Sequence, residues 1–171
     1  MDKNSKLHPA ILYSVIALFF FVVFLIGKIP GLSFKIYNAT PFLLLPALLA
    51  ATMFFKEWFG FLAGLIIGFM ADTVTPGTMC LNTFLLMFLG LAAGLMSSYL
   101  LNINIRSALV LSFLCSAVYF AVRWFSFVFL GSEPDKLSYL LQISLPSAVY
   151  TALFIIPFYF LFKWYYKRYA A

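Results

Sequence analysis

Charge is what this sequence has least of. Asp, Glu, Lys and Arg make up 9% of 171 residues, hydrophobic residues 65%, and mean hydropathy is +1.06. That scarcity excludes a soluble domain, which could not cover so many apolar side chains with polar surface. Long apolar runs divided by short polar breaks mark an integral membrane protein. The net charge of +6 therefore does not point to nucleic acid; in a membrane protein, the information lies in where the basic residues sit. Cysteine is limited to Cys80 and Cys115. Both sit in apolar stretches without metal-like spacing, which excludes a disulfide framework and leaves them as small hydrophobes. His8 is the lone histidine, has no partner acid or cysteine, and is expected at the surface. Metalloprotease HExxH, a serine nucleophile elbow and phosphate-cradling loops are missing. Asp72 is the one acid within the membrane core, so there is no carboxylate pair. The expectation is a non-enzymatic chain without metal or cofactor.

No linker or low-complexity tail stands out, so residues 1–171 read as a single membrane domain. No cleavable signal peptide is expected, because the first apolar run, Pro9 to Gly27, follows Lys3 and Lys6 but ends in "LIGKIPG", which is not a small-residue cleavage site. The apolar pattern predicts an all-α bundle of six transmembrane helices at about 9–27, 39–55, 58–74, 77–101, 106–130 and 139–162. Spans two and three are short against the ~20 residues needed to cross the hydrocarbon core. A re-entrant hairpin would hold Lys56 and Glu57 near mid-bilayer at ~2.5 kcal/mol or more per charge, so two short crossings around a charged turn are favoured. Thr40–Pro41 and Thr75–Pro76 each place a capping hydroxyl before a first-turn proline. Pro146 and Pro157 are expected to kink the last span. With both termini cytoplasmic, the inner side holds Lys3, Lys6, Lys56, Arg106, Lys163, Lys167 and Arg168, and the outer loops hold Lys28, Lys35 and Lys136. That bias favours N-in and C-in, with Trp164, Tyr165, Tyr166 and Tyr169 as an inner interfacial anchor.

Within that frame, "WFGFLAGLIIGFMAD" (58–72) carries glycine every fourth residue at Gly60, Gly64 and Gly68, and Asp72 continues the row. Residues four apart share a helix face, so the glycines form a side-chain-poor groove. Gly90 and Gly94 form a second small-residue pair on the following span, with Ser97 and Ser98 nearby. Such stripes let helix backbones approach closely in lipid. Two uses follow: packing inside one bundle, or docking of another membrane helix, including a second copy of this chain. Asp72 has two readings as well. It either meets water at the outer interface and caps the turn to Thr75, or pairs with Arg123. The pair follows from depth: Asp72 stands ~22 Å above Glu57 and Arg123 ~25 Å above Arg106, both on spans running outward. Neighbouring opposite charges would offset much of each other's cost. Asn82, Thr83 and Gln142 read as ordinary cross-helix hydrogen bonders.

The segments "TPFLLLPALLAA" (40–51), "GFLAGLIIGFMAD" (60–72) and "PGTMCLNTFLLMFLGLAAGL" (76–95) resemble the core of the rod shape-determining MreD family, and "LLNINIRSALVLSFLCSAVYF" (100–120) its continuation. The positions matching the family motif are Pro41, Gly60, Gly64, Gly68 and Asp72; Phe42 departs from it, standing where many members have a polar or small residue. The resemblance implies a multi-pass inner-membrane component of the bacterial cell-elongation machinery that regulates cell shape and peptidoglycan synthesis. Its partners would be the bitopic protein MreC and, through it, the RodA glycosyltransferase and a class B penicillin-binding protein, with MreB filaments engaged indirectly. The family is similar in fold to the six-helix substrate-binding subunits of energy-coupling-factor vitamin transporters, which supplies the alternative function. Asp72, Asn82 and Arg123 would then line an outward cavity, and Ala10 and Ser14 would help dock the coupling subunit.

Overall fold

The computed structural model describes residues 9–28, 42–74, 80–100, 104–130 and 144–169. They form helices α1 (Pro9–Lys28), α2 (Leu44–Val74), α3 (Leu81–Tyr99), α4 (Ile105–Leu130), α5 (Leu145–Leu153) and α6 (Ile155–Tyr169), with no strand among the described residues. Thr40–Pro41, Thr75–Pro76, Gln142 and His8 lie outside them. Among the described residues, three stretches are long and apolar enough to cross a membrane, Leu81–Tyr99, Ile105–Ser126 and Leu145–Arg168; Tyr13–Gly27 and Leu44–Phe55 are shorter apolar helices. The outward surface is equally apolar: Leu18, Ile66, Phe69, Phe88 and Val110 are all exposed. Lipid is the solvent that such a surface fits.

The longest element is not straight. Helical structure runs unbroken from Leu44 to Val74, so the two spans expected at 39–55 and 58–74 belong to one element. A straight helix would separate Thr52 from Gly60 by about 12 Å, yet a Cβ on Gly60 would meet Thr52 Cγ2 at 2.6 Å. The two ends also converge: Phe42 stacks on Tyr119, Tyr119 bonds Asn82, and Asn82 bonds Asp72. Across thirty residues a straight helix would hold Phe42 and Asp72 about 45 Å apart. The chain therefore doubles back between Thr52 and Gly60, around the charged Lys56–Glu57 step.

The two limbs of α2 have different surroundings. Every residue from Leu43 to Met53 is buried, which suits a segment apolar on all sides. This limb is the axis of the bundle. It runs parallel to α5 and α6, with the Phe42 N–H donating to Thr151 Oγ1 (3.1 Å) and Phe54 meeting Tyr159 and Tyr166 (both 5.6 Å). The second limb, from Glu57 onward, packs antiparallel on α3. Helix α1 buries the Ile16, Phe20 and Val23 stripe. Its Phe19 meets Phe158 and Phe162 of α6 edge-on.

Two boundaries differ from expectation. Helix α3 begins at Leu81, not 77, after Cys80 in a left-handed conformation (φ 62°). The last span continues to Tyr169 rather than 162, and it breaks at Phe154. The break lies one turn before Pro157, which has no N–H for the Leu153 carbonyl; the Phe154 N–H instead turns back to Thr151 O at 3.2 Å. Pro146 does not join Pro157 in this, because it sits in the first turn of α5, where no helical bond is lost. At the other end, Lys167 and Arg168 occupy the last turn of α6 and favour its dipole; Arg168 lies over Trp164 at 5.1 Å.

Candidate functional site

The glycine row faces α3 of the same chain. A Cβ on Gly60 would collide with the Gly90 carbonyl, one on Gly64 with the Leu86 carbonyl, and one on Gly68 with the Thr83 backbone. The contact is mutual, for a Cβ on Gly90 would strike Gly60 O and one on Gly94 the Glu57 backbone. Polar bonds close the same seam, Ser97 Oγ donating to Met53 O (3.3 Å) and Ser98 Oγ to Glu57 Oε2 (2.9 Å). Of the two uses open to this stripe, the structure shows internal packing. Gly60, Gly64, Gly68, Gly90 and Gly94 pack against each other's helices within the chain.

The seam leads to Asp72. This carboxylate stands in the last turn of α2, where that helix's own dipole opposes it, but it meets the N-terminus of α3. Its Oδ1 accepts the Asn82 N–H (3.2 Å) and Asn82 Nδ2 (2.9 Å), and its Oδ2 accepts the Thr83 N–H (2.8 Å) and Thr83 Oγ1 (2.6 Å). Asn82 and Thr83 are the second and third residues of α3, whose N–H groups have no intrahelical acceptor. Cys80 at the N-cap supplies no side-chain bond. Asp72 thus caps α3 from the neighbouring helix, adding a negative charge where the α3 dipole favours one.

Asn82 carries the connection inward. It is 1% exposed, and its Oδ1 accepts the hydroxyl of Tyr119 at 2.7 Å. Tyr119 is fully buried in α4 and stacked on Phe42 at 4.9 Å and 6°. Its hydroxyl accepts Arg123 Nη1 at 3.4 Å. All three links donate in one direction: guanidinium to phenol, phenol to amide, amide to carboxylate. Bonds so aligned polarise one another. Asp72 and Arg123 stand at the two ends of this chain, linked through Asn82 and Tyr119.

Sequence reasoning assigned no role to Tyr119, Phe42 or Thr151. The signal for Tyr119 was its position four residues before Arg123, on the same face of one helix. Nothing in the pattern of Phe42 predicted a partner about eighty positions away. Asn82 and Thr83, read as ordinary cross-helix donors, are the pair that holds Asp72. With four donors around its two oxygens, the Asp72 carboxylate is saturated, and the described residues contain no cluster of His, Cys, Asp and Glu fit for a metal.

A second seam joins α4 and α5 through small residues. Ser112 and Ser116 of α4 are buried, as are Ser147, Ala148, Thr151 and Ala152 of α5, and Ser112 Oγ donates to Ala152 O at 3.5 Å. Ser147 Oγ is buried and has no hydrogen-bond partner among the described residues. Comparison with models of known families, with curated proteins and with solved structures finds no match.

Proposed function

We propose that this chain is a non-enzymatic, multi-pass scaffold of the bacterial cell-elongation machinery, similar to the MreD family. In this reading it crosses the inner membrane six times with both termini cytoplasmic, and acts through an MreC-like bitopic protein on a RodA and class B penicillin-binding-protein synthase. The observation that carries the proposal is the use made of the resembling motif. Gly60, Gly64 and Gly68 lie against α3, and Asp72 caps that helix, so the glycine-spaced helix ending in Asp is one folding unit. Residues that resemble a family for this reason serve the shared fold, and partner contact then falls to the outward apolar faces. Depletion in the native rod-shaped cell tests the reading. Rounding of the cells and co-purification of a coiled-coil bitopic protein are the expected outcomes. Normal rods after depletion would end it.

One observation favours a second reading, a substrate-binding subunit of an energy-coupling-factor vitamin transporter. Asp72, Asn82 and Arg123 are joined through Tyr119 in a single cluster. Asp72 in this cluster also accepts the Thr83 N–H and hydroxyl, and a carboxylate with four donors at the start of α3 argues for a structural use. A vitamin co-purifying one-to-one, with auxotrophy on depletion, would reverse that preference.

A further inference from the structure

Helix α5 packs on α4 and ends at Phe154. At that place a cavity of about 410 Å³ opens on the outer surface, lined by Leu109, Val110 and Phe113 of α4 and by Val149, Ala152 and Leu153 of α5. Every residue lining it is apolar. Three or four residues before its α4 wall stands Arg106, at the start of the helix and exposed. Positions 106, 110 and 113 share one helix face, and helical side chains lean toward the N-terminus. The Arg106 side chain therefore leans toward the start of the helix, one turn beyond the groove on the same face, at the end away from mid-bilayer. No hydrogen bond or ion pair from another described residue reaches it.

We propose that this groove and Arg106 form a binding site for one anionic phospholipid, with the acyl chain nearest the headgroup in the groove and the phosphate on Arg106. The proposal needs the bilayer placement of the functional reading but not its role in cell shape. A transmembrane helix of another protein would fill the groove equally well by shape. The cation one turn beyond it, without a partner among the described residues, decides for the lipid, because a guanidinium forks onto a phosphate, whereas an apolar helix has nothing to offer it. One basic residue at a membrane surface contributes about 1 kcal/mol toward an anionic lipid, or about a fivefold preference.

Native mass spectrometry of the full chain in detergent tests the site, with phosphatidylglycerol and phosphatidylcholine of identical acyl chains as probes. Phosphatidylglycerol should be retained about fivefold better. Arg106→Gln should bring the two lipids to parity, and Val149→Trp, at an exposed position, should weaken both. Reaction of Cys115, buried in the fold, reports whether each variant is folded. A phosphatidylglycerol preference that survives Arg106→Gln would overturn the proposal, as would undiminished lipid binding to Val149→Trp. A photoreactive side chain at Val110 should capture lipid in cells; capture of a protein there would also overturn it. None of these readouts depends on elongation proteins, so failure here and failure of the scaffold reading are separate results.

Discussion

Tyr119 is the residue on which the polar interior turns. Its hydroxyl is the single donor to Asn82 Oδ1 among the described residues, and its ring is the surface on which Phe42 lies. Tyr119→Phe keeps the stack but leaves a buried amide oxygen unsatisfied, which costs about 1–3 kcal/mol. Thermal unfolding in detergent should show that loss. The Cys80→Ser background suits the measurement, because Cys80 is exposed and Cys115 buried, so thiol labelling then reports unfolding alone. Asp72→Asn should be at least as damaging. It removes the charge that faces the α3 dipole and replaces an acceptor with a donor aimed at other donors. If Asp72→Asn unfolds no earlier than the parent, the capping role assigned to Asp72 is wrong.

At the scale of elements, the α2–α3 seam is the least forgiving contact. A Cβ on Gly64 would overlap the Leu86 backbone, and backbone cannot move aside as a flexible side chain does. Gly64→Leu should therefore push α3 off its partner and release the Asp72 cap with it. Overpacking of a well-filled seam costs about 1–3 kcal/mol or more. Gly27 is the internal control, since a Cβ there would meet nothing within 4 Å, and Gly27→Leu should unfold with the parent. The glycine spacing was readable because helical periodicity is local: residues four apart share a face wherever the helix lies. Which helix the face meets is a long-range matter, and a glycine row serves an internal neighbour and a foreign helix by the same close-approach physics. Asp72 shows the limit from the other side. Its dipole looked unfavourable when only its own helix was considered, and its role as the cap of α3 depends on which helix N-terminus lies beside it.

For the molecule as a whole, the prediction concerns direction of travel through the bilayer. Single cysteines introduced at Glu57 and at Lys167, in a cysteine-free chain, should react with impermeant thiol reagents only from the cytoplasmic side, and one at Lys136 only from outside. A Glu57 position accessible from outside would reverse the orientation inferred from the basic residues. It would leave the doubling-back of α2 untouched, because that rests on contacts among Thr52, Gly60, Phe42 and Tyr119.

The apolar character and the helical content were legible in the amino acids because each depends on composition or on neighbours a few residues away. A mean hydropathy of +1.06 leaves few alternatives to lipid, and backbone groups in lipid must be satisfied within helices or closed barrels. Only the tertiary structure decided that Leu43–Met53 is the buried axis, that the five seam glycines are spent within the chain, and that Arg123 reaches Asp72 through Tyr119 and Asn82. Those outcomes depend on which apolar helices lie side by side. In lipid that choice comes from close packing and a few hydrogen bonds between distant residues, and a linear string of similar apolar segments does not encode it locally.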